Sequence, residues 1–250
     1  MNPLEAVAIL AAGLAAGAIN AIVGSGSLIT FPLLLAFGYP PVVANVSNTV
    51  GLVPGTISGA VGYRRELVGQ RPRVVRLGIA AALGGLTGGA LLLLLPASAF
   101  GRIVPLLIVL AVLLVAFQPR LSAEVIRHRP HGAEHSLALA ALVFLNGIYG
   151  GYFGAAQGVI LIAVLGIFVA DDLQRLNGLK NLLTVLVNAV AALLFIAVAP
   201  VAWLPAGLLA AGAIVGGQLG ATVGRRMPAG VLRVAIVVVG SIVAAKLLLT

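Results

Sequence analysis

Long apolar runs alternate with short polar breaks along the whole chain. They fall at 4–24, 27–38, 41–63, 74–95, 100–118, 136–156, 158–169, 174–199, 201–224 and 230–249. Eight are long enough to cross about 30 Å of hydrocarbon as helices. The other two, 27–38 and 158–169, reach only about half-way at about 1.5 Å per residue. The pattern predicts an all-α integral membrane protein whose regular spans are interrupted twice.

The two short runs follow matching breaks. The first reads GAINAIVGSGSLITFPLLLAFG (Gly17 to Gly38) and the second GIYGGYFGAAQGVILIAVLGIF (Gly147 to Phe168). Paired interruptions in corresponding positions of two halves are a sequence pointer to a transporter's binding site. Beyond them, VANVSNTVGLV (Val43 to Val53) aligns weakly with LNGLKNLLTVL (Leu176 to Leu186), which sets Asn48 opposite Asn181 and Ser47 opposite Lys180. The chain therefore divides into a first repeat, 1–118, a linker, 119–135, and a second repeat, 136–250.

Composition and charge sharpen this reading. The chain is 61% hydrophobic and 8% charged, with mean hydropathy +1.19, which excludes an ordinary soluble domain. The first run lacks a basic leader, its only charge is Glu5, and it is not expected to be a cleaved signal. There is no cysteine, which excludes disulfides and thiolate chemistry. The net charge of +9 is explained by arginine-rich loops held in the cytoplasm, so no nucleic-acid partner is expected. Arg64, Arg65, Arg71, Arg73 and Arg76 mark one such loop. Arg120, Arg127 and Arg129 mark the linker, and Arg225, Arg226 and Arg233 the turn before the last run. The uncharged loops at 96–100 and 199–205 belong outside. Equivalent loops thus face opposite sides in the two halves, which requires an odd number of crossings per half. The expected fold is two inverted-topology repeats, each a glycine-broken re-entrant hairpin plus three transmembrane helices. It is multi-pass in the cell inner membrane, with the linker cytoplasmic and both termini outside.

Candidate chemistry lies at the breaks, Gly24-Ser25-Gly26-Ser27 and Gly154-Ala155-Ala156-Gln157-Gly158. Non-helical backbone at membrane depth is tolerated where it is buried or lines a wet cavity. The short helix after each break turns its N–H groups and positive dipole end inward, which suits an anion. The same glycines also suit close helix packing. Lys180, about 12 Å into its helix, can neutralise an anion, snorkel to the interface, or pair with Asp171 or Asp172. Asn48 and Asn181 can orient a ligand or bond between helices. Ser47, Thr49, Asn20, Asn146 and Asn188 are of the same kind, and Tyr149 and Tyr152 either line the second hairpin or anchor it. His128, His131 and His135 read as a solvated linker rather than a metal site, and no cofactor is called for.

The acidic residues Glu5, Glu66, Glu124, Glu134, Asp171 and Asp172 all fall at ends or in loops. That argues against a cation carrier and a carboxylate proton relay. An inside-negative potential favours anion efflux by about 2.3 kcal/mol per charge per 100 mV. No Ser–His–Asp set lies in the spans, so no enzyme activity is expected.

The chain resembles the TauE/SafE family of sulfite and organosulfur-anion exporters over nearly its whole length. GAINAIVGSGSLITFPLL, ANVSNTVGLVPGTISGAVGYRREL with its Arg64-Arg65 pair, and DDLQRLNGLKNLLTVLVNAVAAL with Leu179-Lys180-Asn181 carry the resemblance. It departs from the family in Ser25, Ser27 and Ala21 at the first break and in Ala155 and Ala156 at the second. The resemblance implies transport of sulfite, sulfoacetate or a similar anion. The expected site comprises Gly24, Ser25, Gly26, Ser27, Asn48, Gly154, Gln157, Gly158, Lys180 and Asn181. An anion channel and a non-transporting membrane scaffold remain the other readings, and small-residue helix faces permit a homodimer in the bilayer.

Overall fold

The computed structural model describes residues 1–127 and 133–222, without the side chains of 118–127 and 133, and isolated positions 234, 237, 238 and 241. Nine α-helices form among the described residues: α1 (Pro3–Ile22), α2 (Ser27–Ala36), α3 (Pro41–Gly62), α4 (Arg71–Leu94), α5 (Ala97–Arg127), α6 (Leu137–Tyr152), α7 (Gln157–Phe168), α8 (Leu173–Val198) and α9 (Trp203–Thr222). Their starts carry local signals. Asn2 and Glu5 close a capping box on α1, with proline in its first turn. Ser136 accepts from the Leu139 amide at the start of α6, and Asp172 from the Gln174 amide at the start of α8.

Five helices are long and apolar enough to cross a membrane: α1, α4, α5 over Ala97–Phe117, α8 and α9. Eight apolar runs in the sequence have the length to cross, of which the expected fold uses six as full crossings and two as the first arms of hairpins. Helix α3 has the length, at 22 residues, but carries buried Asn45, Ser47, Asn48, Thr49 and Thr56. Helix α6 stops after 16 residues because the chain breaks at Phe153. Most of the run 230–249, including Arg233, and the pair Arg225 and Arg226 lie outside the described residues, as do His128, His131 and Arg129. Helix α5 continues to Arg127, into the segment read as linker.

The helices pack through glycine. A Cβ on Gly13 would meet the Leu209 carbonyl oxygen at 2.6 Å, and one on Gly17 would strike the Ala213 backbone, so α1 lies against α9 with their chains running the same way. Gly51, Gly55 and Gly59 bring α3 into the same parallel group. Gly84, Gly88, Gly147 and Gly151 hold α4 against α6, and Gly85 faces the Val187 carbonyl oxygen of α8 at 2.7 Å. Those three helices form a second parallel group. The two groups meet where Gly178, early in α8, abuts Glu66 and Tyr63 beyond the end of α3. That contact makes α3 and α8 antiparallel. With hydrocarbon outside, burial of apolar area gives little drive for helix pairing, and close backbone contact takes its place. Outward faces carry exposed Leu83, Leu106, Leu193 and Ile196, the surface a lipid tail would cover.

Candidate functional site

Each break reverses the chain. Gly24 and Gly154 adopt left-handed φ of +84° and +77°, a conformation that favours glycine because it has no Cβ. Ala156, at the N-cap of α7, is left-handed at φ 59° despite its methyl group. Such a residue is strained by about 1–3 kcal/mol and persists where its surroundings fix it. Ala156 is fully buried.

The two breaks touch. The Gly158 amide donates to the Gly24 carbonyl oxygen at 3.1 Å. A Cβ on Gly24 would lie 2.5 Å from the Gly158 Cα, and one on Gly158 would lie 2.6 Å from the Gly24 Cα. Neither position accepts a side chain without parting the tips. The first amides of the short helices are therefore largely used within the protein. Gly26 donates to Asn20 Oδ1 at 2.6 Å, Gly158 donates to Gly24, and the Val159 amide reaches the Ala156 carbonyl at 3.0 Å. The sequence reading expected these amides to be free for a ligand.

A buried cavity of about 10 Å³ lies where the tips meet, about the size that admits one water. Its polar wall is Asn20, Ser27, Thr49, Gln157, Thr184 and Asn188. Leu52, Phe153 and the glycines Gly24, Gly150 and Gly154 complete it. Gln157 is 1% exposed, and both its amide atoms lack a hydrogen-bond partner. Thr184 Oγ1 is also buried and unpartnered. Gly150 makes room for the Gln157 amide, since a Cβ there would lie 2.5 Å from its Nε2 and Oε1. Buried polar groups normally find partners, and here two unpartnered side chains line one small cavity.

Of the expected site residues, Gly24, Ser27, Gly154 and Gln157 line this cavity. Ser25, Gly26 and Gly158 shape the tips around it, and Ser25 Oγ is buried without a partner. Asn48, Lys180 and Asn181 stand behind the tips. The Asn48 side-chain Oδ1 accepts from the Thr30 hydroxyl, and its Nδ2 donates to Ser27 Oγ at 3.2 Å, tying α2 to α3. Lys180 is 1% exposed. Its Nζ lies 3.5, 3.5 and 3.4 Å from the carbonyl oxygens of Asn20, Ala21 and Ile22, and Asn181 donates to the Ala21 carbonyl at 3.0 Å. These are the last carbonyls of α1, a helix with no basic residue in its own last turn. A cation there complements the negative helix end. Snorkelling and pairing with Asp171 or Asp172 are both replaced by this capping.

Other buried polar side chains hold helix ends, among them Asn45, which was not a sequence candidate, and the candidates Asn146, Ser47 and Tyr149. Asn45 donates to the Tyr152 carbonyl at the end of α6, at 3.0 Å, and Asn146 donates to the Gln157 carbonyl at 3.2 Å. Ser47 accepts from the Ala202 amide at 2.8 Å. Tyr149 donates to the Ala155 carbonyl at 2.5 Å. Around Tyr152, Phe31, Phe100 and Phe153 form edge-to-face pairs, with Phe31–Phe153 centroids 5.3 Å apart. Thr184 was missed by sequence reading. A lone threonine in an apolar helix is silent until its facing neighbours are known.

A second cavity, of about 460 Å³, opens at the arginine-rich end, bounded by Arg73, Arg76, Arg175, Glu134, His135 and Asp171. Arg73 forks onto Glu134, with Nη2 to Oε2 at 2.8 Å, and reaches Asp171 Oδ2 at 2.5 Å. Arg175 Nε donates to Asp171 Oδ1 at 2.9 Å. Arg76 donates to the Glu134 carbonyl and stands 2.9 Å from His135 Nδ1. Arg73 holds the Glu134 carboxyl below its usual range. At Asp171 burial pushes the other way, but hydrogen bonds from Arg73, the Asp172 amide and Arg175 outweigh it and hold the carboxyl low. His135, read as part of a solvated linker, belongs to this cluster.

A bundle of apolar helices with two glycine breaks closing on a buried polar cavity is the build of a membrane transporter. The sequence profile of the sulfite exporter TauE/SafE family matches residues 9–247, and the chain belongs to that family. It is 28% identical over 250 residues to "Probable membrane transporter protein YfcA" of Escherichia coli (strain K12), covering 99% of this chain and 91% of that one. A "Probable membrane transporter protein" of Haemophilus influenzae is 26% identical over 235 residues, 94% of this chain and 91% of its own. "Probable membrane transporter protein ORF9" of a Sinorhizobium species is 24% identical over 233 residues, 93% of this chain and 88% of its own. No solved structure matches the chain.

Proposed function

We propose that the chain exports a small sulfur-containing anion, such as sulfite or sulfoacetate, through a site between two inverted repeats. The cavity at the touching breaks carries this reading, with its unpartnered Gln157 amide and Thr184 hydroxyl. The site also takes in Gly24, Ser25, Gly26, Ser27, Gly154 and Gly158, with Asn48, Lys180 and Asn181 as its supports. The sulfur comes from the family, whose name is sulfite exporter.

The packing supports the inverted repeat of 1–118 and 136–250. A Cβ on Gly216 would strike the Leu14 carbonyl as one on Gly84 would strike that of Phe144. Gly220 faces Ala18 as Gly88 faces Ile148, and Gly217 faces Gly55 as Gly85 faces Val187. Gly55 is then equivalent to Val187, and Asn48 to Lys180. That register is one residue away from the sequence alignment. The opposed directions of α3 and α8 fit the inversion. The breaks, in which α2 and α7 return beside α1 and α6, fit re-entrant hairpins. The arginine-rich end is cytoplasmic on the positive-inside rule, which puts the N-terminus outside. A one-water cavity is too small for a continuous conducting pore, which favours a carrier over a channel. Alternating access then parts and rejoins the tips, in an inner membrane and in a monomer or homodimer.

The test is flux of radiolabelled sulfite in proteoliposomes of the purified protein under an imposed potential. Saturable flux that follows the potential and yields to competing sulfur anions is the expected result. No flux of any anion under any gradient refutes the transport reading and favours a scaffold.

A further inference from the structure

We infer that the cavity among Arg73, Arg76 and Arg175 binds the phosphate headgroup of an anionic phospholipid. It is separate from the transport site. The cavity opens at the start of α6 and beyond the end of α7, whereas the tips close at the other ends of those helices. Leu139 and Leu165 are buried along α6 and α7 between the two places. At about 460 Å³ it falls within the roughly 300–1,000 Å³ of small-ligand sites.

Its charges do not balance. Three arginines face two carboxylates, which leaves one positive charge over. All four carboxylate oxygens are taken. Arg73 donates to both oxygens of Glu134 and to Asp171 Oδ2, and Arg175 donates to Asp171 Oδ1. Arg76 meets no carboxylate among the described residues. Its contacts are the Glu134 carbonyl oxygen and His135 Nδ1, and its Nε is buried without a partner. A guanidinium in that position suits an oxyanion that accepts paired hydrogen bonds, as a phosphate does.

The rim decides where that phosphate comes from. Val75, Leu137 and Leu173 each stand within two residues of a residue lining the cavity, and each is more than half exposed. Ile79, one turn beyond Val75 on α4, carries the apolar face on into the span and is also exposed. A free phosphate uses none of this surface. A phospholipid sets its phosphate among the arginines and its acyl chains along the aliphatic rim. Basic pockets between helices at the cytoplasmic face take anionic headgroups in this way.

The experiment counts lipids retained by the purified full chain in native mass spectrometry, and follows its melting temperature in the same detergent mixtures. The probes are dioleoylphosphatidylglycerol and dioleoylphosphatidylcholine. Phosphatidylglycerol should be retained and should raise the melting temperature, and phosphatidylcholine should do neither. Arg76→Gln should weaken phosphatidylglycerol binding about fivefold, the weight of one basic residue at an anionic surface. Arg65→Gln, an exposed position that does not line the cavity, should leave it unchanged. Leu137→Gln, at a position 85% exposed, should fold normally and weaken binding by removing the rim, which keeps the test open if Arg76→Gln fails to fold. Equal retention of the two lipids, or equal losses in Arg76→Gln and Arg65→Gln, overturns the site. Stabilisation by inorganic phosphate but not by phosphatidylglycerol assigns the cavity to a free anion and overturns the lipid. None of these readouts uses flux, so their failure leaves the transport reading standing, and a failure of sulfite flux leaves this site standing.

Discussion

At the residue scale, the tip glycines resist replacement through close contact, and Gly24 through its backbone conformation as well. Gly24→Ala adds a Cβ 2.5 Å from the Gly158 Cα and forces it onto a left-handed backbone. Overpacking and strain together should cost about 3 kcal/mol. Gly207→Ala meets nothing within 4 Å and sits inside helix α9, so it should be neutral or stabilising by about 0.5–1 kcal/mol. Thermal unfolding of the two variants in detergent checks the contrast. Lys180 has a double consequence. Reading the sequence alone, Lys180→Ala should weaken transport with little loss of folded protein. The three α1 carbonyls on its Nζ change that expectation. Lys180→Met should lower both stability and flux, and Lys180→Arg should recover stability ahead of flux. A Lys180→Met protein that melts like the wild type and carries sulfite normally would remove the residue from the site and from the cap.

At the element scale, the charged end is held by Arg73 between Glu134 and Asp171, joining α4 to the start of α6 and to the α7–α8 turn. Both carboxyl pKa values are depressed in the folded protein. The sign follows. Their contribution is fully present above the unfolded carboxylate pKa of about 4 and is lost as pH falls through the lower folded values. Melting temperature should therefore drop on the acid side, and Arg73→Ala should flatten that drop while lowering stability at neutral pH by about 1–3 kcal/mol. A melting curve across pH for both proteins measures it. Sequence made the elements legible where the signal is local. The glycine breaks and the short α2 and α7 follow from neighbours in the chain. Partners remote in sequence were not legible. Nothing near Lys180 in the sequence says that it will cap α1, and nothing near Thr184 says that it will face Gln157. Most of the final apolar run and the arginines before and within it lie outside the described residues.

At the scale of the whole molecule, the central claim is that two breaks from opposite halves close one anion site. The inverted arrangement itself is open to labelling, because the chain has no cysteine. Val68→Cys, exposed beside the arginine cluster, should react with an impermeant thiol reagent from the cytoplasmic side only, and Tyr39→Cys, in the α2–α3 turn, from the outside only. Labelling of both from one side would contradict the inversion. The most direct measurement is at the cavity. Ser27→Cys places a thiol on its wall, and Gly207→Cys places one where no neighbouring atom lies within 4 Å. The rate of modification by a small permeant thiol reagent would be followed with and without sulfite. The account expects sulfite to slow labelling at Ser27→Cys over the same concentrations that saturate its transport, and to leave Gly207→Cys unaffected. Labelling of Ser27→Cys that no transported anion slows would contradict the site.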